Sequence, residues 1–351
     1  MKVSVLKGRG AWENPKNRFE TLVWEEEETG DEECLPTKTV FYRDHTKSLL
    51  SYNQSPDVGF EVSFNPYRGC EHGCIYCYAR PYHEYLGFSA GLDFETKIMV
   101  KTQAPQLLTR ELQSKKWRPQ VIALSGATDC YQPAERKFKL TAACLEVLAK
   151  FRNPVAIITK NRLVTRDKKI LQELASFQGV RVYISITSLD SRLTQIMEPR
   201  TSTPADRLHA IEELRKAGIP VGVMVAPLIP ALTEEELPAI LEAAGKAGAT
   251  RAGYILLRLP HGVAELFSGW LERHFAERKN KILHRLEAMR GGRLNDPNFG
   301  KRMKGQGIFA TQIQKMFEIQ CRRLGLNRDP EDLKSHHFRR PEGPQGQLFH
   351  N

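Results

Sequence analysis

Six short, almost wholly apolar runs punctuate residues 60–260, each followed by an amphipathic stretch. No other feature constrains the fold as strongly. The runs are EVSFNPY (61–67), QVIALSG (120–126), VAIIT (155–159), VRVYISI (180–186), PVGVMVAP (220–227) and AGYILLRL (252–259). Between them lie the helical patterns KLTAACLEVLAKF (139–151), KKILQELASF (168–177), ADRLHAIEELRKAG (205–218) and EEELPAILEAAGKAG (234–248). The last two end in Ala-Gly, which suits a helix C-terminus. Strands that are apolar at nearly every position need cover on both faces. Repeated strand–helix units imply a parallel sheet, either a barrel or a doubly wound sheet. Six units make a barrel shorter than the full eight.

The rest of the chain divides around this core of 56–260. Residues 1–55 read as a partly mobile extension, with the acidic run EEEETGDEE at 25–33 as a solvated loop. Beyond 260 the strands stop. Val263, Leu266, Phe267, Trp270, Leu271, Phe275, Ile282, Leu286 and Met289 recur at helical intervals, as do Phe309, Ile313, Met316, Phe317 and Leu324. This predicts a helical segment over 261–325 packed on the barrel, with a polar tail over 326–351.

Charge enters here, because it is uneven. The chain carries +11 overall, and residues 261–351 hold 17 Lys/Arg against 10 Asp/Glu. A basic region attracts nucleic acid through its phosphates, although a solvated face on basic helices has the same composition. No apolar run reaches the ~20 residues of a membrane-spanning helix, and the first 20 residues lack a signal-peptide core. The expected location is the cytoplasm, where clustered thiols serve metal or redox chemistry more often than disulfides.

The thiols cluster in RGCEHGCIYCYAR (68–80), which places Cys70, Cys74 and Cys77 in a C-x3-C-x2-C array just after the first strand. A structural zinc site takes four ligands, usually from paired short spacings, and no second pair exists. His72 would have to fold back to be the fourth. A four-iron cluster also takes four thiolates as a rule, so three leave one iron open to a non-protein ligand, a feature of catalysis.

The array matches the signature of the radical S-adenosylmethionine (SAM) superfamily, with Tyr76 as its aromatic. The wider string NPYRGCEHGCIYCYARPYHEYLGFSAGLDFETK resembles the branch related to spore photoproduct lyase and called DNA-repair-photolyase-like. The resemblance extends through ATDCYQPAE (127–135), EPRTSTPADRL (198–208) and GVMVAPLIP (222–230), covering roughly residues 60–325. It implies a partial (β/α)6 TIM-like barrel, one [4Fe-4S] cluster on Cys70, Cys74 and Cys77, and SAM as cofactor. In such enzymes SAM chelates the open iron through its amino and carboxylate groups. An external electron donor of flavodoxin or ferredoxin type then drives its cleavage to methionine and a hydrogen-abstracting 5′-deoxyadenosyl radical.

The resemblance also implies a SAM amino-group segment at SGATD (125–129). There Gly126 would permit close approach, and Thr128 or Asp129 would accept from an ammonium. A strand-to-loop turn with Asp129 capping local structure is the alternative reading of these residues. Lys160 and Ser185, at the ends of the third and fourth strands, match positions that contact SAM in spore-photoproduct-lyase-like proteins. Arg200 would bind a carboxylate or hold a helix in place. VAPLIP (225–230) would wall the adenine, with Tyr76 stacking or packing beside it. Cys130 is the candidate hydrogen donor of a lyase-like reaction, although ATDCYQP departs from that enzyme's local pattern. Cys144 and Cys321 fit apolar helix faces, and Cys34 has no visible role.

The functional expectation is a radical SAM enzyme, with a nucleic-acid substrate suggested by the basic C-terminal third and by Tyr131, Trp270 and Phe309 near basic residues. A base inside a duplex must be extruded or met in a single strand. A protein or small-molecule substrate is the alternative within that class. Outside it stands a zinc-stapled, non-catalytic nucleic-acid-binding protein.

Overall fold

The computed structural model describes residues 8–20, 38–328 and 332–341. The acidic run 25–33, Cys34 and the end of the polar tail lie outside them.

Among the described residues, ten strands form two sheets: β1 (Val40–Arg43), β2 (Ser51–Tyr52), β3 (Val62–Phe64), β4 (Tyr67–Arg68), β5 (Lys97–Val100), β6 (Ile122–Leu124), β7 (Val155–Thr159), β8 (Val180–Ser185), β9 (Val221–Leu228) and β10 (Arg251–Leu256). The large sheet runs β10-β9-β8-β7-β6-β3-β2. Every pair from β3 to β10 is parallel, and β2 closes the edge antiparallel to β3. These six parallel strands are the six apolar runs, in chain order. One face of these strands is fully covered: Val155, Ile157, Val180, Val182, Ile184, Val221, Val223 and Val225 are buried in one core, while alternate residues such as Ala156, Ile158, Arg181 and Tyr183 on the other face are only partly buried.

Ten α-helices accompany the strands among the described residues: α1 (Leu92–Thr96), α2 (Ala104–Gln113), α3 (Ala134–Phe138), α4 (Leu140–Phe151), α5 (Lys168–Ser176), α6 (Ser191–Met197), α7 (Pro204–Lys216), α8 (Leu237–Lys246), α9 (Gly262–Ala288) and α10 (Gly307–Leu324). The crossover helices bury their apolar stripes on the sheet, as with Cys144, Leu145 and Leu148 of α4 or Ala210, Ile211 and Leu214 of α7. Each fully buried leucine contributes ~1.5–3 kcal/mol. Thr203 caps α7 by accepting from Asp206 N, and Pro204 opens it at a position that needs no N–H.

A small sheet, β1-β5-β4, is a feature the periodicity did not signal. Its strands are two to four residues long, too short for a pattern to show. It brings the segment before the core against the chain that follows the cysteines.

The described part of the N-terminal segment is packed in. Residues 8–20 run as a strap between the cysteine loop, α1 and α9, with Ala11 buried. Gly10 lies so close to Gly73 that a Cβ there would sit 1.7 Å from the Gly73 carbonyl oxygen. Trp12 packs over Gly269, under the Arg273 guanidinium at 4.0 Å. Helix α9 bends at Phe275, whose φ of −147° and ψ of 43° are not helical. Its first half buries Val263, Leu266, Phe267, Trp270 and Leu271 against Cys74, Ile75 and Tyr76, so the C-terminal segment supports the cysteine loop.

Candidate active site

The three cysteines lie on the loop after β4, beyond the C-terminal end of β3, at the rim where β/α barrels place their chemistry. Consecutive turns carry the chain around: Gly73 N donates to Cys70 O (3.4 Å), Cys77 N to Cys74 O (3.2 Å) and Arg80 N to Cys77 O (3.2 Å). Gly73 takes a φ of +67°, a conformation open to glycine at little cost. Cys70 and Cys74 are buried, while Cys77 is partly exposed. Burial first, then the Asp129 carboxylate and then the neighbouring Cys74 and Cys77, push the Cys70 thiol up. Burial and Glu198 push up Cys74, against Lys160 and Arg207.

Four buried polar side chains hold this loop. Arg80, wholly buried, donates from Nε to Cys74 O (3.0 Å) and pairs with Glu95 at 2.5 Å. Glu95 in turn accepts from Gly10 N (3.0 Å) and Ala11 N (2.8 Å), which ties the strap to the loop. Glu71 pairs with Arg200 at 3.0 Å. His72 bridges Asp129, 3.4 Å from Nδ1, and the Asn161 amide, 3.1 Å from Nε2. It is a buried strut of the loop and is not free to turn back as a ligand.

Among the described residues, no three His, Cys, Asp or Glu side chains gather as the cage of a single ion. The fit of an iron–sulfur cluster therefore rests on the donors: three soft thiols on one loop, two buried and one at the surface of the rim, without a fourth protein thiol in the array.

The other sequence candidates divide into two groups. Lys160 reaches the interior, its Nζ donating to Ala226 O (2.9 Å) and lying 5.9 Å from the Tyr76 ring centroid. Ser185 is buried at the end of β8, and its carbonyl accepts from Arg207 (3.0 Å). Ala226 belongs to the VAPLIP segment, so Lys160, Ser185, Tyr76 and that wall converge near Cys74. Gly126 lies at the rim, where its carbonyl accepts from Tyr78 Oη (2.5 Å).

The second group is engaged by the protein. Asp129 accepts from Tyr131 N (2.9 Å), Thr159 Oγ1 (2.7 Å) and Lys160 N (2.7 Å) as well as facing His72. Burial opposes its ionisation, but His72 and these hydrogen bonds hold its pKa below the ordinary value. Its carboxylate ties the end of β7 to the second strand's turn. Thr128 Oγ1 donates to Tyr67 O (3.0 Å). Arg200, through Glu71, holds the cysteine loop in place.

Three expectations need correction. Cys130 is 0% exposed inside the main core, its N–H donating to Ser125 Oγ and its thiol pushed up by burial, so it cannot reach a substrate at the rim. Tyr131 and Trp270 are likewise core residues, at 0% and 1% exposure. Phe309 is half-buried beneath Arg285, 4.1 Å away. Aromatics that do face solvent include Tyr78 and, close after the cysteines, Tyr82 and Tyr85, as well as Phe299. Arg258 stacks on Tyr78 at 4.6 Å, and Arg302 on Phe299 at 4.6 Å.

Sequence reasoning missed Glu198. This residue, 1% exposed, accepts from Thr187 Oγ1 (2.6 Å) and from Tyr76 Oη, and it pairs with the wholly buried Arg207. Burial opposes ionisation, but Arg207, Lys160 and the two hydroxyls hold the carboxyl at about 2. Both partners stand in EPRTSTPADRL, which also carries Arg200 and Asp206, so a glutamate and an arginine nine positions apart were the available signal.

A partial β/α barrel with a thiol loop at the C-terminal rim of its first strand defines the class. Residues 64–244 match the Radical SAM superfamily, and the chain belongs to it. It is 40% identical over 236 residues to an uncharacterized protein of Mycobacterium tuberculosis, covering 66% of this chain and 69% of the relative. It is 29% identical over 190 residues to one of Methanocaldococcus jannaschii, covering 54% and 69%. Among solved structures it is similar to spore photoproduct lyase complexed with dinucleoside spore photoproduct, with a TM-score of 0.59, 16% identity, and 82% and 80% coverage. That likeness establishes the fold. Among the described residues no helix is long and apolar enough to cross a membrane.

Proposed function

We propose that this protein is a radical SAM enzyme that holds one [4Fe-4S] cluster on Cys70, Cys74 and Cys77 and abstracts hydrogen from a nucleic-acid substrate. The observation that carries the reading is the buried thiol loop at the barrel rim beside Lys160, Ser185 and the Ala226 carbonyl. A cluster bound there supplies one electron for reductive cleavage of SAM to a hydrogen-abstracting radical. The protein's own part is to bind and orient. Lys160 offers a cation for the SAM carboxylate, Ser185 a hydroxyl, Gly126 an open backbone, and the VAPLIP wall excludes water. An external flavodoxin- or ferredoxin-type donor would provide the electron.

The rim supports the substrate class. Tyr78, Tyr82 and Phe299 offer faces for bases, and Arg258 and Arg302 stack on two of them. The loop from Arg290 to Lys304 adds Arg293 and Lys301 beside a single acid, Asp296. The spore photoproduct lyase structure with a bound dinucleoside is a fold-level precedent for a base-containing ligand.

The test is anaerobic incubation of iron-reconstituted protein with SAM and dithionite. About four irons per chain and 5′-deoxyadenosine formation that disappears in Cys74→Ala support the proposal, whereas stoichiometric zinc without iron overturns it. Screens with single-stranded DNA, RNA and deuterated oligonucleotides then read deuterium in 5′-deoxyadenosine. Transfer only from peptides or metabolites would overturn the substrate class alone.

A further inference from the structure

The Glu198 network has no place in SAM contact as argued above, yet it reaches the cysteine loop twice. Tyr76, between Cys74 and Cys77, donates its hydroxyl to the Glu198 carboxylate. Ile75 N donates to Met197 O at 3.1 Å, so the residue preceding Glu198 is hydrogen-bonded to the residue following Cys74. The carboxylate is sealed from solvent, and its salt-bridge partner Arg207 is spread over Ser202 O (2.8 Å), Ser185 O (3.0 Å) and Thr201 Oγ1 (2.5 Å). A charge in such a place is screened by neither water nor salt. It is a fixed negative charge beside Cys74.

We propose that Glu198 sets the reduction potential of the cluster held by Cys70, Cys74 and Cys77, by keeping a buried carboxylate against the Cys74–Tyr76 segment. The inference rests on the cluster reading of those thiols. Reduction adds an electron to the site, and a nearby anion disfavours it. Arg207 and Lys160 oppose that effect from the other side, and Thr187 moderates it by donating a hydrogen bond to the same oxygen as Tyr76. Charge near an iron–sulfur site is a standard lever on its potential. Glu198 thus holds the potential below the value that Arg207 and Lys160 alone would give it.

Two variants test this by moving the potential in opposite directions. Glu198→Gln removes the charge and keeps the shape, and the potential rises, with on the order of tenfold more reduced cluster at fixed poise, equivalent to ~59 mV for one electron. Thr187→Val removes a hydrogen bond and leaves the charge bare, and the potential falls. The readout is an EPR redox titration of reconstituted protein without SAM, beside iron content and circular dichroism. Shifts of opposite sign support the proposal. Unchanged potentials, or both moving the same way as a loosened loop would move them, overturn it. If Glu198→Gln fails to load iron, Thr187→Val decides by itself, since it is isosteric and neutral. Failure of the wild-type protein to load iron would overturn the cluster reading, a result distinguishable from an iron-loaded protein whose potential ignores Glu198.

Discussion

Glu95→Gln is the sharpest test of how the cysteine loop is held. The glutamate is fully buried and faces three donors: Arg80 Nη2 at 2.5 Å, Ala11 N at 2.8 Å and Gly10 N at 3.0 Å. Glutamine is nearly the same shape, but one carboxylate oxygen becomes an NH2. Whichever way the amide turns, a donor meets a donor, and buried Arg80 loses its counter-charge. Removing one partner of a buried pair costs about 3–5 kcal/mol. In a domain of this size each kcal/mol lowers Tm by ~2–4 °C, so a fall of roughly 10 °C is expected. Because Arg80 also holds the Cys74 carbonyl, iron retention should fall with it. Thermal melts with and without iron, together with proteolysis mapping of residues 8–20, measure both effects. A variant that melts within ~1 °C of wild type and loads full iron would refute the reasoning. The double variant Arg80→Met/Glu95→Leu removes both charges of the pair but leaves Gly10 N, Ala11 N and the Cys74 carbonyl without their partners, so it should recover only part of the loss.

Other predictions follow from single residues. Cys130→Ala should leave 5′-deoxyadenosine and product formation within twofold of wild type and cost ~1 kcal/mol in stability, as a small core cavity does; product lost while 5′-deoxyadenosine still forms would return Cys130 to the site as a hydrogen donor. His83 is buried against Phe88 and Phe94, and burial holds its pKa down at about 4. The native state therefore refuses a proton that the unfolded chain takes, so stability is full above pH 6.5 and declines down to about 4, by up to ~3 kcal/mol. Denaturant melts of His83→Phe should lack this decline. Arg258→Ala with Phe299→Ala should weaken single-stranded DNA binding at least tenfold in fluorescence anisotropy while leaving iron content unchanged.

The barrel was legible because its strands are short apolar runs separated by amphipathic stretches, so their composition alone marks them. VAIIT appears as β7 over the same five residues, Val155–Thr159. The cysteine loop was legible by spacing. The residues that hold it were not, because burial of a charge leaves no sequence pattern. Arg80, Glu95, Glu198 and Arg207 read as ordinary surface charges until their partners, 9 to 122 residues apart, are in place. Cys130 shows the reverse error: its position beside Asp129 suggested the rim, but Ser125 turns the chain and carries the thiol down into the core. Tyr131 and Trp270 misled in the same way, since an aromatic near basic residues in sequence need not share a surface with them.

The strap over residues 8–20 has a consequence for biogenesis. It bonds to Glu95 and rests against Gly269 and Arg273, about 260 residues later in the chain. Synthesis proceeds from the N-terminus, so the strap waits, without its last partner, until α9 has emerged and docked. Contacts of such sequence separation form late in folding. The strap's hold on the thiol loop, through Gly10 beside Gly73, is thus completed only after α9 has been made.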